Sequence, residues 1–473
     1  MSPGTTKVRC RNRFANERPL NLTNTSKNYS EITSVSLPLV LSMAATTVME
    51  FTDRVFLANY SIDAIAAAMP AGIAVFLVLT FFTGVTAYLN VFIAQYTGAG
   101  SLLRIGPCMW QGIYFSIFAA LILMGLSFLA DTIFQMAGHP PRVQELESIY
   151  FRLLCMGGGI NVLGTGLACF FTGRGRTRPV MLISIAGMAF NIPLDYALIN
   201  GIWVFPEMGI RGAGIATVGS WALIALLYAG LIFSPDNERT YGILSRRVFD
   251  PELFLRILKK GVPAALQFAM DVLAFTFFIF SIGRLGEIEL AISNIAFSIQ
   301  SIAFMPAIGF SMGLSTLVGQ SLGRNDVDGA LQFTRQTVWI LLTYTLLLAL
   351  IFLLAPHWML GLFMAAESGA EPYRQLLDQG IVVMRIMALF IPFDAMYFTF
   401  VGVLKGAGDT RFIIWSIGVA TIVFMILPMT VIVEFTGWGL YACWINLTVY
   451  VISLFSVALW RLRQGKWKDI RVF

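Results

Sequence analysis

The chain has 473 residues, of which 57% are hydrophobic and 12% charged, and its formal net charge is +6. A soluble domain carries about 25% charged residues because its surface faces water, so this composition excludes a soluble globular protein and indicates a membrane protein. Two histidines and five scattered cysteines exclude a zinc hydrolase and a disulfide framework.

The chain begins with a polar segment. Residues 1–30 contain six lysines and arginines and no apolar core, so they are predicted to form a disordered basic tail rather than a signal peptide. Beyond it, apolar runs predict twelve membrane-spanning helices, since each run reaches the ~20 residues that cross a bilayer. Their predicted bounds are 31–57, 64–98, 106–137, 143–171, 179–201, 211–234, 251–282, 287–322, 329–354, 370–403, 411–435 and 437–462.

Lysine and arginine residues gather on one side of the predicted membrane. Most of the 32 fall in the two terminal segments and in alternate loops. Short loops rich in these residues stay in the cytoplasm, so the pattern predicts two cytoplasmic termini, in agreement with an even number of spans. An integral protein of the plasma or inner membrane is therefore expected, and the positive charge reflects orientation rather than nucleic-acid binding.

The two halves of the chain repeat one loop motif. Residues 171–178 read FTGRGRTR and residues 404–411 read LKGAGDTR, each after the fourth span of its half. The shared glycines are typical of tight turns, because a phosphate-binding loop requires a preceding strand. Two lobes of six spans that enter the membrane in the same direction form a parallel repeat, with a site expected between them. The predicted divisions are an N-lobe, 31–234; a cytoplasmic linker, 235–250; a C-lobe, 251–463; and a tail, 464–473.

Three further motifs lie inside the spans. Pro38–Asp53 reads PLVLSMAATTVMEFTD, Asn191–Asp195 reads NIPLD, and Met312–Gly323 reads MGLSTLVGQSLG. In this order, and with the two repeated loops, the sequence resembles the multidrug and toxic compound extrusion (MATE) family, NorM-type branch, over residues 31–462. The resemblance implies a secondary active antiporter that exchanges amphipathic, cationic compounds for Na⁺ or H⁺ by alternating access.

Acidic residues within the spans are the candidate functional groups, because an ionised carboxylate at mid-bilayer costs ~2.5–3.5 kcal/mol. A rise of 1.5 Å per residue places Asp53, Asp195 and Thr217 at one level, roughly 6–9 Å below the outer boundary. Asn191 lies one turn deeper on the face of Asp195. These oxygen groups suit a proton or Na⁺, and the MATE resemblance implies that all four form the N-lobe coupling site. The family's frequent asparagine late in span 4 corresponds to Ala168.

The second half offers another acidic pair, Asp271 in span 7 and Asp394 in span 10, both predicted near the midplane. The resemblance implies that these acids couple to cations and contact the cationic substrate. Phe390 stands where the family often has a tyrosine. Glu50, three residues before Asp53, is either an accessory acid or a locally hydrogen-bonded one.

Other interpretations remain open from the sequence. Each acid could be structural; Asp53, for example, could pair with Arg54. A flippase for lipid-linked oligosaccharides, from the same superfamily, is the alternative function, although acids rather than bases occupy the spans. An enzyme is not expected, since no H-E-x-x-H motif occurs. The expected partners are organic cations and membrane lipid, without nucleic acid, cofactor or any metal besides coupling Na⁺, and a monomer is predicted.

Overall fold

The computed structural model describes residues 22–472 apart from 137, 203 and 362–370, and this part of the chain consists of helices joined by short turns. Helices dominate because lipid offers no partner for backbone polar groups, which a helix satisfies internally. The spans are span 1, Leu22–Tyr60; span 2, Ile62–Ala87 with Leu89–Gly98; span 3, Ile105–Ser127; span 4, Pro141–Thr172; span 5, Arg178–Asn200; span 6, Ile210–Ile232; span 7, Pro251–Gly283; span 8, Glu287–Gly323; span 9, Val327–Leu354; span 10, Glu371–Ala407; span 11, Thr410–Thr436; and span 12, Gly439–Gln464.

The predicted all-helical fold with twelve spans is confirmed. Eleven of the described helices are long and apolar enough to cross a membrane, and span 8 is the twelfth, bent by 42° between Ser301 and Ala303. Pro306 follows this bend, and a proline ring clashes with the carbonyl four residues earlier. Part of span 11 is π-helical, over Thr421–Ile426 and Ile432–Thr436.

Two predicted span boundaries are wrong. Span 1 begins at Leu22 rather than residue 31, and its polar extension is held by a hydrogen bond from Asn28 Nδ2 to Gln332 Oε1 at 3.2 Å. Span 3 ends at Ser127, and a separate short helix, Ala130–Gln135, follows. The segment after span 12, predicted as a tail, contains a 3-10 turn, Lys466–Asp469. Residues 1–21 of the predicted N-terminal tail lie outside the described residues.

Spans 1–6 form one lobe and spans 7–12 the other. Glycines in span 4 let its neighbours approach closely: a Cβ added at Gly159 would lie 2.3 Å from Ala120 Cβ, and one at Gly157 would lie 2.3 Å from Val218 Cγ2. This glycine-rich segment of span 4 therefore serves close helix packing.

The lobes meet in the half of the bundle that carries the termini, here called the terminal half. Each lobe packs the first half of its first span against the other lobe, in the same way in both repeats. The first half of span 1 packs on span 8, and the first half of span 7 packs on span 2. Ile32 and Val35 are buried in the core of the C-lobe, whereas Ile257 is buried in the core of the N-lobe.

Hydrogen bonds between the lobes also lie in the terminal half. Asn90 Nδ2 donates to Thr316 Oγ1 at 3.0 Å, and Gln320 Nε2 donates to the Gly173 carbonyl at 2.9 Å. Within the described part of the chain, every hydrogen bond between spans 1–6 and spans 7–12 lies in the terminal half. Because these bonds stop short of the opposite face, here called the open face, we infer that a cleft between the lobes opens there.

Gly98 provides a test of this packing. A Cβ added there would lie 2.0 Å from the Gln320 carbonyl oxygen, whereas one at Gly72 has no atom within 4 Å. Alanine gains about 1 kcal/mol of helix propensity over glycine, but overpacking costs about 1–3 kcal/mol. We expect Gly98→Ala to lower the melting temperature of the purified protein and Gly72→Ala to leave it equal or higher. Equal melting temperatures for Gly98→Ala and the unchanged protein would contradict this lobe contact.

The linker between the lobes is folded against the N-lobe. It contains the helix Pro235–Tyr241, and Trp110 Nε1 of span 3 donates to the Ile243 carbonyl at 2.6 Å. Backbone N–H groups of Leu244 and Ser245 donate to Glu238, and these bonds hold the pKa of the Glu238 carboxyl below its usual value. The linker is therefore structurally part of the N-lobe.

Candidate cation and substrate sites

The N-lobe residues that were predicted to share one level come together in the structure. Thr217 Oγ1 donates to Asp53 Oδ2 at 3.3 Å, and the Asp195 carboxyl lies within hydrogen-bonding reach of the Asp53 carboxyl. All three side chains are buried, with relative exposures of 7%, 6% and 0% respectively. The predicted proximity of Asp53, Asp195 and Thr217 is thus confirmed, and like charges are forced together in a low-dielectric interior.

Much of the hydrogen-bonding capacity in this cluster is not used by the protein. Asn191 is fully buried one turn below Asp195, and neither atom of its amide has a hydrogen-bond partner among the described residues. Asp53 Oδ1 also has none, and neither oxygen of Asp195 meets a conventional donor. Since an unsatisfied buried polar atom costs about 1–3 kcal/mol, the cluster favours a proton or an oxygen-seeking cation.

Sequence reasoning missed Tyr150, a residue of span 4 that lies beside this cluster. Tyr150 is buried and lies within electrostatic range of both Asp53 and Asp195. Ala168 instead packs against the core of the terminal half, because span 4 runs from the open face at Pro141 to the terminal face. An alanine at position 168 therefore removes no ligand from this cluster.

Glu50 lies at the edge of the same cluster. Its side chain is exposed, in contrast to Asp53, yet the two acids interact electrostatically. In the terminal half, Ser36 and Val40 mark the side of span 1 that packs on span 8. With 100° per residue around the helix, the Glu50 side chain points to a direction between this side and that of Asp53. Glu50 is therefore the acid of this group nearest the cleft, and Arg54 follows one turn later.

The C-lobe pair is bound by amide and hydroxyl groups. Gln267 Nε2 donates a hydrogen bond to Asp271 Oδ2, and the Tyr397 hydroxyl donates to Asp271 Oδ1 at 3.4 Å. The Asp394 side chain pairs with Gln300 and lies within electrostatic range of Asp271. Both carboxyls are buried, with exposures of 5% and 4%. The structure thus brings the two predicted C-lobe acids into one cluster.

Tyr397 supplies the hydroxyl that Phe390 cannot. Phe390 is fully buried, and its ring packs on Trp444 with 6.4 Å between centroids, so it belongs to the C-lobe core. Tyr397 lies three residues after Asp394 on span 10 and reaches Asp271 on span 7. The sequence signal was available, because Tyr397 shares a helical face with the acid.

Comparison with known proteins identifies the family. The MatE family model matches residues 38–197 and 263–430, which is more than half of the chain. The chain belongs to the MatE family. This membership confirms the resemblance drawn from the first-span, fifth-span and eighth-span motifs. The matched ranges include both acidic pairs, although Thr217 lies between them.

Curated relatives in the MatE family are similar over nearly their whole length. The probable multidrug resistance protein NorM of Thermotoga maritima is 28% identical over 450 residues, which cover 93% of both chains. The multidrug resistance protein NorM of Burkholderia vietnamiensis is 25% identical over 446 residues, covering 92% of this chain and 94% of the relative. The NorM-type branch is therefore supported across both lobes.

Solved MatE structures share the fold. A MOP superfamily transporter from Pyrococcus furiosus aligns with a TM-score of 0.80 and 21% identity. The binding pocket of that transporter is described as having reverse polarity, which suggests a different function for it. A multidrug resistance MATE family transporter in an outward-facing conformation aligns with a TM-score of 0.81 and 20% identity. Each match covers 93% of this chain and 97% of the other, so the likeness extends over the entire twelve-span architecture.

One sequence pattern in the MatE region could suggest a hydrolase, since Gly309–Gly313 reads GFSMG and matches G-x-S-x-G. A nucleophile elbow requires a sharp turn between a strand and a helix, whereas Ser311 lies within span 8. Its hydroxyl donates to the Phe398 carbonyl at 2.6 Å. The two glycines admit Val40 and Ser36 of span 1, so the pattern serves helix packing.

Lys405 brings a positive charge to the C-lobe acids of this MatE protein. It was predicted in a loop, but it lies within span 10, is half-buried, and interacts electrostatically with Asp271. Side chains tilt toward the N-terminus of their helix, which directs this ammonium toward Tyr397 and the acids. The Lys405 carbonyl accepts a hydrogen bond from Tyr88 of the N-lobe at 3.2 Å.

We expect Lys405→Met to tighten the binding of a cation beside Asp271, because the positive charge of the lysine no longer competes for this carboxylate. A single charge at this range contributes about 1–2 kcal/mol, or about five- to thirtyfold in affinity. The half-saturating concentration of Na⁺ or H⁺ for efflux in proteoliposomes should fall accordingly, with Lys405→Arg close to the unchanged protein. An unaltered ion dependence in Lys405→Met would show that this charge does not act on the site.

Proposed function

We propose that this MatE protein is a secondary active multidrug antiporter that exports amphipathic organic cations in exchange for Na⁺ or H⁺ by alternating access. The observation that carries this proposal is a buried acidic pair in each of the two lobes that the cleft separates, Asp53 with Asp195 and Asp271 with Asp394. The NorM relatives are named multidrug resistance proteins, which supports the substrate class.

The buried acids couple ion binding to the movement of the lobes. Enclosing an ionised carboxylate in a low-dielectric interior costs several kcal/mol, so closure of the cleft over ionised pairs is opposed. A proton, Na⁺ or a cationic drug neutralises a pair and lowers this cost. The cleft then closes only over occupied sites, and an occupant taken up at one face is exchanged for an occupant from the other.

The orientation follows from the basic loops. With both termini in the cytoplasm of a plasma or inner membrane, the terminal half is closed toward the cytoplasm and the cleft opens outward. This arrangement is the state that releases drug and takes up the coupling ion. Each chain contains both lobes and both acidic pairs, so we propose that a monomer is the working unit and that it requires no cofactor besides the coupling ion.

A lipid-linked oligosaccharide flippase fits the sites less well. Its pyrophosphate cargo is anionic and requires several unpaired cations in the cavity. Two basic groups lie near the acidic pairs, and each has an acid beside it: Arg54 interacts with Glu50, and Lys405 interacts with Asp271. We therefore favour a cationic cargo.

Reconstituted protein tests the proposal directly. Purified protein in liposomes loaded with ethidium should export the dye when an inward Na⁺ gradient or an inward H⁺ gradient is imposed, and the effective gradient identifies the ion. A double variant, Asp195→Asn with Asp271→Asn, reconstituted at equal density, is the matched control and should be inactive. Dye movement that ignores both gradients, or that persists in the double variant, would overturn the coupled antiport.

A further inference from the structure

The segment that follows span 12 connects the two lobes. This terminal strap, 465–472, turns at Gly465, which has a φ of +73°, a conformation that glycine adopts without strain. Trp467 is fully buried in the core of the C-lobe, and its Nε1 donates to the Leu462 carbonyl at 3.0 Å. The strap is therefore anchored to the C-lobe by a large buried side chain.

The other end of the strap enters the N-lobe. Val472 has an exposure of 2% and belongs to the N-lobe core around Tyr88 and Phe92. Its backbone N–H donates to Gln95 Oε1 at 3.0 Å. Within eight residues the chain thus contributes one buried side chain to each lobe.

Gln95 connects three parts of the molecule through one amide. Its Oε1 accepts from Val472, and its Nε2 donates to the Gly406 carbonyl of span 10 at 3.0 Å. The side chain is fully buried in the terminal half of span 2. Both bonds are made to backbone groups on the C-lobe side, so both are lost when span 2 moves away from span 10.

The C-lobe loop that faces the strap has a matching shape. Gly408 has a φ of +95°, and a Cβ added there would lie 2.7 Å from Val472 Cγ1. Arg471 Nη2 donates to Asn325 Oδ1 in the turn after span 8 at 3.2 Å. The complete seat for the strap therefore exists only while the lobes touch in the terminal half.

We propose that the terminal strap and Gln95 form a latch that holds the terminal half closed and must release before the cleft can open toward that face. This inference rests on the proposed alternating access, and Gln95 acts in it as a positioning residue for transport. Its two hydrogen bonds and the burial of Val472 stabilise the closed terminal half relative to the opened one. Loss of one hydrogen bond changes an equilibrium by about two- to tenfold.

Two substitutions remove the latch in different ways. Val472→Pro removes the N–H that binds Gln95, and Gln95→Leu removes both bonds at nearly constant volume. Asp469→Ala is the control within the strap, because its side chain is exposed. Spin labels on Arg178→Cys and Arg411→Cys, exposed positions that the internal repeat relates, report the separation of the lobes at the terminal face once native cysteines are replaced.

Double electron–electron resonance in lipid nanodiscs should show a larger long-distance fraction for both latch variants, by about two- to tenfold in the ratio of the populations, and no change for Asp469→Ala. Melting temperatures identify a latch variant that fails to fold, and the distances measured in the other latch variant then test the proposal. Unchanged distance distributions in a folded latch variant would overturn the latch. Dye efflux by the unmodified protein tests antiport separately, so a failed latch and a failed antiporter give different results.

Discussion

Asp195→Asn is expected to abolish ion-coupled efflux, with a loss of at least about tenfold, while it raises the thermal stability of the protein. Asparagine has the shape of aspartate but cannot bind a proton or hold a cation with a full charge, so the N-lobe pair loses its exchangeable occupant. Removal of one buried like charge beside Asp53 also removes desolvation and repulsion of about 1–3 kcal/mol. Efflux in proteoliposomes and the melting temperature measure the two effects.

Asp63→Asn is the control for this substitution, because Asp63 is an exposed acid in the first turn of span 2. It should leave both efflux and melting temperature unchanged. If Asp195→Asn retained the ion dependence of the unmodified protein, the N-lobe pair would have to be structural.

Asp271→Asn is expected to abolish efflux as well, by at least about tenfold, but with the opposite effect on stability. Asp271 accepts hydrogen bonds from Gln267 and Tyr397 and offsets the charge of Lys405. Asp271→Asn leaves the half-buried Lys405 ammonium without a compensating negative charge. It also weakens the hydrogen bonds from Gln267 and Tyr397, which lose a charged acceptor. A buried charge that loses its partner costs about 3–5 kcal/mol, and the partial exposure of Lys405 reduces this figure, so we expect a clear fall in melting temperature.

The combination of Asp271→Asn with Lys405→Met separates the two effects. Removing the lysine should restore most of the lost stability, because no uncompensated charge remains, yet efflux should stay absent. A double variant that regains ion-coupled efflux would show that the acid serves only to balance the lysine. A single Asp271→Asn variant with full efflux would remove the C-lobe pair from the mechanism.

The sequence predicted the spans and the proximity of the N-lobe acids well, for physical reasons. Lipid requires long apolar helices, and a constant rise per residue then gives the depth of each group. Asp53, Asp195 and Thr217 accordingly meet as predicted.

Contacts between distant spans could not be obtained in this way. Tyr150 and Gln300 carry no sign in the sequence of which helix they face, because that depends on how the spans rotate about their axes. Tyr397 shares a helical face with Asp394, but the sequence does not show that it reaches Asp271 on span 7. The surroundings of Ala168 could not be assigned either, because its depth depends on the direction in which span 4 crosses the membrane. Lys405 was assigned to a loop because charge marks helix ends, although a long side chain can enter the lobe while its backbone remains near the surface.

The exchange of helix ends between the lobes also bears on biogenesis. Ile32 and Val35 of span 1 become buried only in the core that span 8 helps to build, and nearly three hundred residues separate these elements in the chain. During synthesis the first six spans are therefore inserted while this surface of span 1 still lacks its partner. Expressed alone, either half should be captured by quality-control proteases, whereas co-expression of residues 1–249 with residues 250–473 should allow each half to protect the other.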